Sequence, residues 1–228
     1  MVRAVLHYDV VSPWTLFAYA VLKRYRQQWD MDLVLKPVFL GGVMNAAGNK
    51  PPITVPNKGK WMNQSDMPLA AQFFEVPYQF PTKFPLNTIH CMRLLRSIEE
   101  IAPEKLEKAT DLFYGAIWQP TGGKTALDAI DPSNFASMLA QDNLFSKAEI
   151  DKVVELSTSD KVKGLLKSES QQAVDEGAFG FPWIVVERDD GEKRSFFGSD
   201  RFETIAFWLG KEWKGPVPEG RKGGKAKL

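Results

Sequence analysis

The chain has 228 residues, 44% hydrophobic and 25% charged, enough for a sizeable packed core in one domain or in one domain carrying an insertion. Its formal net charge of +1 gives no global field to recruit nucleic acid or a membrane surface, and no apolar run approaches the roughly eighteen residues that suggest a bilayer crossing. A single cysteine, Cys91, excludes an intrachain disulfide and fits a cytosolic or organelle-matrix protein in a reducing compartment.

In chain order, residues 4–9 read as a short apolar strand. It follows Met1-Val2-Arg3 so closely that no signal or transit peptide is expected. Ser12-Pro13 announces a helix, since serine is a good N-cap and proline is tolerated at the first helical position. Leu16, Tyr19, Ala20, Val21 and Leu22 follow at helical spacing, and the helix is expected to run to about Gln28. Residues 33–39 mark a second strand whose Pro37 suggests an edge or a strand end. Strand, helix and strand in this order imply a right-handed parallel unit.

Residues 41–56 read as a loop, with Gly41-Gly42, Gly48-Asn49 and Pro51-Pro52. From about Lys58 to Ala178 the pattern turns helical and stays so. Asn87 is the candidate cap of a helix carrying Ile89, Met92, Leu95 and Ile98. Further helices are expected over 105–118, 132–141, 147–156 and 160–176, the last closed by Gly177. Strands return at 183–186 and 195–197, with Asp189-Asp190-Gly191 as the hairpin turn, and Ser199 is expected to cap a final helix through Leu209. The order is therefore βαβ, a long block of helices, then ββα. That predicts an α/β protein, a thioredoxin-like domain (1–57 plus 178–218) with an all-helical domain (58–177) inserted between its halves. A basic, glycine-rich tail follows over 219–228.

Three segments far apart in sequence converge in such a fold. Ser12-Pro13-Trp14-Thr15 stands where thioredoxin-type redox enzymes place Cys-x-x-Cys, at a helix start whose exposed N–H groups favour a thiolate. A hydroxyl cannot cycle through a disulfide, but it can donate a hydrogen bond to a thiolate supplied by another molecule. The second segment, Gly180-Phe181-Pro182-Trp183, puts proline at the start of a strand, where it removes a ladder donor. In the thioredoxin fold this proline is cis and leaves the main chain of the preceding residue free to pair with a peptide. The third, Phe197-Gly198-Ser199-Asp200-Arg201, offers N–H groups and a hydroxyl for a carboxylate and Asp200 for an ammonium, a match to an α-amino-acid head group such as the γ-glutamyl end of glutathione. Taken singly, each segment is equally an ordinary cap or strand-start proline. Asn49, Lys50 and Lys58 are weaker candidates for a small carboxylate. His7 and His90 lie too far apart to read as a metal site, and Cys91 reads as a buried inert thiol.

Tyr-Asp-Val-Val-Ser-Pro (8–13), Gly-Asn-Lys-Pro-Pro (48–52), Gly-Ala-Phe-Gly-Phe-Pro (177–182), Phe-Gly-Ser-Asp-Arg (197–201) and Gly-Lys-Glu-Trp-Lys-Gly-Pro (210–216) together resemble the kappa-class glutathione transferases along nearly the whole chain. The resemblance implies a homodimer that uses glutathione as co-substrate, without a metal, to attack small electrophiles or peroxides. It makes Ser12 the group that hydrogen-bonds the glutathione sulfur, with Pro13 and Trp14 completing the turn. It gives Phe181, before Pro182, the backbone pairing with the cysteinyl residue. Ser199 and Asp200 take the γ-glutamyl group, and Asn49 and Lys58 lie near the glycyl end. The chain departs from animal members at Trp14 and Phe181, where other residues are usual. A glutathione-dependent isomerase resembling 2-hydroxychromene-2-carboxylate isomerase and a non-catalytic binding protein are the rival readings. The terminal Ala226-Lys227-Leu228 resembles the Ser-Lys-Leu import signal and implies a peroxisomal location, with mitochondria or cytosol as alternatives.

Overall fold

The computed structural model of the protein describes residues 1–220. The tail beyond, with Ala226-Lys227-Leu228, lies outside the described residues.

β1 (Val2–Tyr8) is the central strand of the chain's first half. Ala4, Leu6 and Tyr8 are fully buried and point to one face, while the intervening His7 is buried on the other. α1 (Pro13–Tyr25) starts at Ser12, whose Oγ accepts from the Thr15 N–H, and it ends three residues earlier than expected. β2 (Met31–Pro37) pairs parallel to β1 from Val2↔Met31 to Tyr8↔Pro37, and its proline closes the strand at the sheet edge. β3 (Trp183–Glu187) lies antiparallel on the other side of β1, and β4 (Lys193–Phe197) completes the order β2-β1-β3-β4.

Between β2 and β3 the chain is mostly helical. It forms α2 (Leu40–Ala46), α3 (Pro56–Trp61), α4 (Met67–Phe74), α5 (Ile89–Ile101), α6 (Leu106–Trp118), α7 (Ala126–Ile130), α8 (Phe135–Leu139), α9 (Lys147–Ser157) and α10 (Asp160–Asp175). α11 (Phe202–Leu209) follows β4. None of the helices among the described residues is long and apolar enough to cross a membrane. This is the thioredoxin-like α/β architecture with helices set between its halves. One continuous core joins the two parts, from Leu6, Leu16 and Phe17 to Phe113 and Trp118. Removing such side chains from water contributes about 1.5–3 kcal/mol each.

Four expectations need correction. Residues 41–56 are not all loop, because α2 begins at Leu40 and a 3-10 turn spans Pro52–Thr54. Gly41 lies within α2 rather than at a turn, and a Cβ there would stand 3.0 Å from the Phe39 ring. The helical pattern does not persist from 58 to 178, for residues 76–88 are largely irregular, broken by Pro77, Pro81 and a cis Phe84–Pro85 bond. Thr88, not Asn87, occupies the N-cap position of α5, although Asn87 Oδ1 accepts from the Ile89 N–H at 3.3 Å. Ser199 does not cap the last helix. Arg201 holds that position, because Gly198 at φ +103° turns the chain first.

The C-terminal segment straps the first helix. Tyr25 Oη donates to the Gly215 carbonyl at 2.7 Å, Trp29 Nε1 donates to that of Glu212 at 3.1 Å, and Trp213 stacks on Tyr25 and Phe202. Cys91 is fully buried with its thiol pushed well up by burial, which keeps it protonated.

Candidate functional site

The strand pairing puts three turns at one end of the sheet. His7 pairs with Trp183 and Trp183 with Phe197, so the β1–α1 turn, the segment before β3 and the turn after β4 are neighbours. Ser12, Phe181-Pro182 and Ser199 belong to these turns. The Gly198 N–H donates to the Pro182 carbonyl at 3.1 Å, which fastens the second turn to the third.

The β1–α1 turn is built from the inside. The Ser12 N–H donates to the Asp9 carbonyl at 3.1 Å, and the Val11 N–H to Asp9 Oδ1 at 3.0 Å. Trp118 Nε1 donates to the Val10 carbonyl at 2.8 Å from α6. Ser12 is only 5% exposed. Its oxygen accepts from the Thr15 N–H at 3.2 Å, while among the described residues its own proton has no acceptor. A hydroxyl held in this way has one donor to offer outward, at a helix start that already favours a negative charge. Pro13 is buried at the first helical position. Trp14 is half-buried, edge-to-face with Phe17 at 5.9 Å. Thr15 Oγ1, also buried, finds no partner among the described residues.

The Phe181–Pro182 bond is cis. Among the described residues neither the N–H nor the C=O of Phe181 has a main-chain partner, and these are the groups through which an extended peptide pairs. The Phe181 side chain is itself buried with Val38, Val43, Ala178 and Trp183, and so is not a wall of an open pocket. Asn49 reaches this turn. Its Nδ2 donates to the Phe179 carbonyl at 2.7 Å, and its Oδ1 accepts from the Lys50 N–H. Gly180 packs closely there, since a Cβ would stand 3.2 Å from the Phe197 ring.

At the third turn Ser199 is buried. Asp200 is exposed, paired loosely with Arg201 at 3.3 Å and folded back over Gly198, where a Cβ would meet its Oδ1 at 2.5 Å. Lys58 stands exposed on α3. No side-chain contact among the described residues joins it to the other candidates. His7 is buried, its ring held below its ordinary 6.5 mainly by burial; His90, on α5, is exposed.

Sequence reasoning missed Asp9. Its carboxylate is fully buried beneath the turn and also accepts from the Leu40 N–H at 2.9 Å and from Thr88 Oγ1 at 2.7 Å. Burial pushes this carboxyl up to about 6, against the pull of its hydrogen bonds. An acid at a strand end before Ser-Pro was the one available signal, and it reads equally as a surface residue.

Comparison with known proteins settles the family. Residues 5–209 match the DsbA-like thioredoxin domain. Glutathione S-transferase kappa 1 of Rattus norvegicus is 35% identical over 222 residues, 93% of each chain, and that of Homo sapiens is 33% identical over 218 residues, again 93% of each. The chain belongs to the kappa glutathione S-transferases. Among solved structures, a 2-hydroxychromene-2-carboxylate isomerase superposes with a TM-score of 0.72 over 91% of this chain and 94% of that one. At 16% identity that likeness speaks for the fold alone. Within this kappa chain the Cys-x-x-Cys position is held by Ser12 and Thr15, so a dithiol cycle is closed to it.

Proposed function

We propose that this kappa glutathione S-transferase binds glutathione across the three turns and activates its thiol as thiolate for attack on small electrophiles or peroxides. The observation that carries the reading is Ser12: its oxygen is oriented by the Thr15 N–H and its proton is uncommitted at the first turn of α1. A free thiol titrates near 8.5, and each unit by which the helix start and the hydroxyl lower that value is worth about 1.4 kcal/mol. The thiol proton leaves to solvent. The sulfur then forms its bond to the electrophilic carbon as a leaving group such as halide departs with its electron pair.

In this reading Phe181 pairs with the cysteinyl residue, Ser199 and Asp200 take the γ-glutamyl group, Asn49 and Lys58 serve the glycyl carboxylate, and Trp14 borders the electrophile. A glutathione titration followed by thiolate absorbance tests it, with conjugation, peroxidase and isomerase assays on the same preparation. Thiolate formation with conjugation is expected. Binding without any change in thiol ionisation would overturn the enzymatic reading and leave a binding protein.

Two further expectations belong to this reading. The protein forms a homodimer, as the family resemblance implies, and light scattering reads this directly. Ala226-Lys227-Leu228 directs it to peroxisomes. A fluorescent protein carrying the last dozen residues, compared with one lacking Leu228, tests the address; diffuse signal from both would rule it out.

A further inference from the structure

Asp9 is fully buried, yet among the described residues no Lys, Arg or His pairs with it. Three neutral donors from three parts of the chain converge on its two oxygens instead. The Val11 N–H lies next to Ser12. The Leu40 N–H opens α2, which leads to Asn49. The Thr88 hydroxyl sits at the N-cap position of α5, the helix packed against α6 and its Trp118. The ionised carboxylate meets all three as an acceptor, with the added strength of charge-assisted bonds. Protonation removes that charge and adds an O–H that needs an acceptor of its own, while an amide must turn a donor toward one of the three.

We propose that the Asp9 carboxylate is a positioning residue for the glutathione site: ionised, it holds the Ser12 turn, α2 and α5 in the arrangement that binds the tripeptide, and protonated, it lets that arrangement loosen. This rests on the glutathione reading above. Asp9 touches no reacting atom, and its charge beneath the turn opposes a thiolate there, so its contribution is positional.

Burial brings its protonation to about pH 6, inside the working range. The titratable groups that feel its charge are Tyr8 on β1, Cys91 on α5 and Tyr114 on α6. All three are pushed up and neutral at that pH, while α1 and α2 face it with main-chain groups. His7, two residues upstream, lies 4.0 Å from Glu169 and is held below 6.5.

The test is calorimetric binding of S-methylglutathione to the full chain from pH 5 to 7.5. This ligand has no thiol to titrate, and its carboxylates and amine ionise outside that range. Affinity of the wild type is expected to fall about tenfold from pH 7 to pH 5. Asp9→Asn should bind weakly with little pH dependence, whereas Thr88→Val, which removes one donor, should move the wild-type midpoint to higher pH. Affinity that does not vary with pH in the wild type, or that falls equally in Asp9→Asn, overturns the role of Asp9 and leaves the glutathione reading intact. A folded protein that fails to bind at any pH overturns the glutathione reading, and this inference with it. Should Asp9→Asn not fold, the Thr88→Val midpoint decides, and an unmoved midpoint counts against the proposal.

Discussion

At the Asp9–Thr15 turn almost every group is buried and tied to the core, by Trp118 at Val10 and by Thr88 and Leu40 at Asp9. Asn49 and Asp200 stand exposed beside the second and third turns, with one or two polar contacts each. The difference follows from what each part is asked to hold. A single hydroxyl stabilises a thiolate usefully only when it is fixed and partly screened from water, where its hydrogen bond is electrostatically stronger. Carboxylates and ammonium groups of a peptide can be met in water, where each contact is weak, screened by salt and easily reversed. In the proposed function the buried turn therefore governs the chemistry, and the exposed residues govern affinity.

The contrast can be broken most sharply at Ser12. Ser12→Ala should lower kcat/KM for conjugation by one to two orders of magnitude, roughly 1.4–2.7 kcal/mol, with the fold intact. Unchanged kcat/KM together with unchanged thiolate absorbance would remove Ser12 from the chemistry.

A second effect, of about 2 kcal/mol, concerns stability and runs the other way. The folded value of Asp9, about 6, lies above its ordinary 3.8, so the folded protein binds that proton more tightly than the unfolded chain. The stability this supplies is fully present below pH 3.8 and is lost as pH rises through 6. Measured against Asp9→Asn by guanidinium unfolding, the wild type should lose this amount between pH 4 and pH 7. The form of Asp9 that satisfies the turn is thus the less stable one, a cost expected where function rather than stability sets the residue. A constant difference between the two proteins would place Asp9 in solvent.

Smaller effects belong to the exposed residues. Asn49→Ala removes the tie to the Phe179 carbonyl and should raise the KM for glutathione about fivefold, near 1 kcal/mol, with kcat little changed. Asp200→Ala should raise that KM two- to threefold or so, more than it lowers kcat, and the effect should shrink at high salt. A loss confined to kcat in either variant would move that residue from recognition to chemistry.

Local patterns made much of this legible. The βαβ and ββα halves, the Ser12 cap with Pro13 behind it, the edge position of β2 and the hairpin at 189–191 all rest on interactions within a few residues or on simple alternation. Two errors turned on the role of a glycine, which its type alone does not tell: Gly41 lies inside α2 against the Phe39 ring, and Gly198, at φ +103°, turns the chain so that Arg201 and not Ser199 takes the N-cap position.

By itself the amino-acid order determined the class of fold, the serine in place of cysteine at the first helix and the family. Each is carried by residue types at short or ordered spacing. Only the tertiary structure decided that Asp9 is a buried carboxylate without a cation, that Trp118 and Thr88 reach it and its turn from α6 and α5, and that Asn49 meets Phe179. Those contacts join residues 79 to 130 positions apart. Whether a carboxylate is solvated or sealed depends on chain segments that no local pattern brings together.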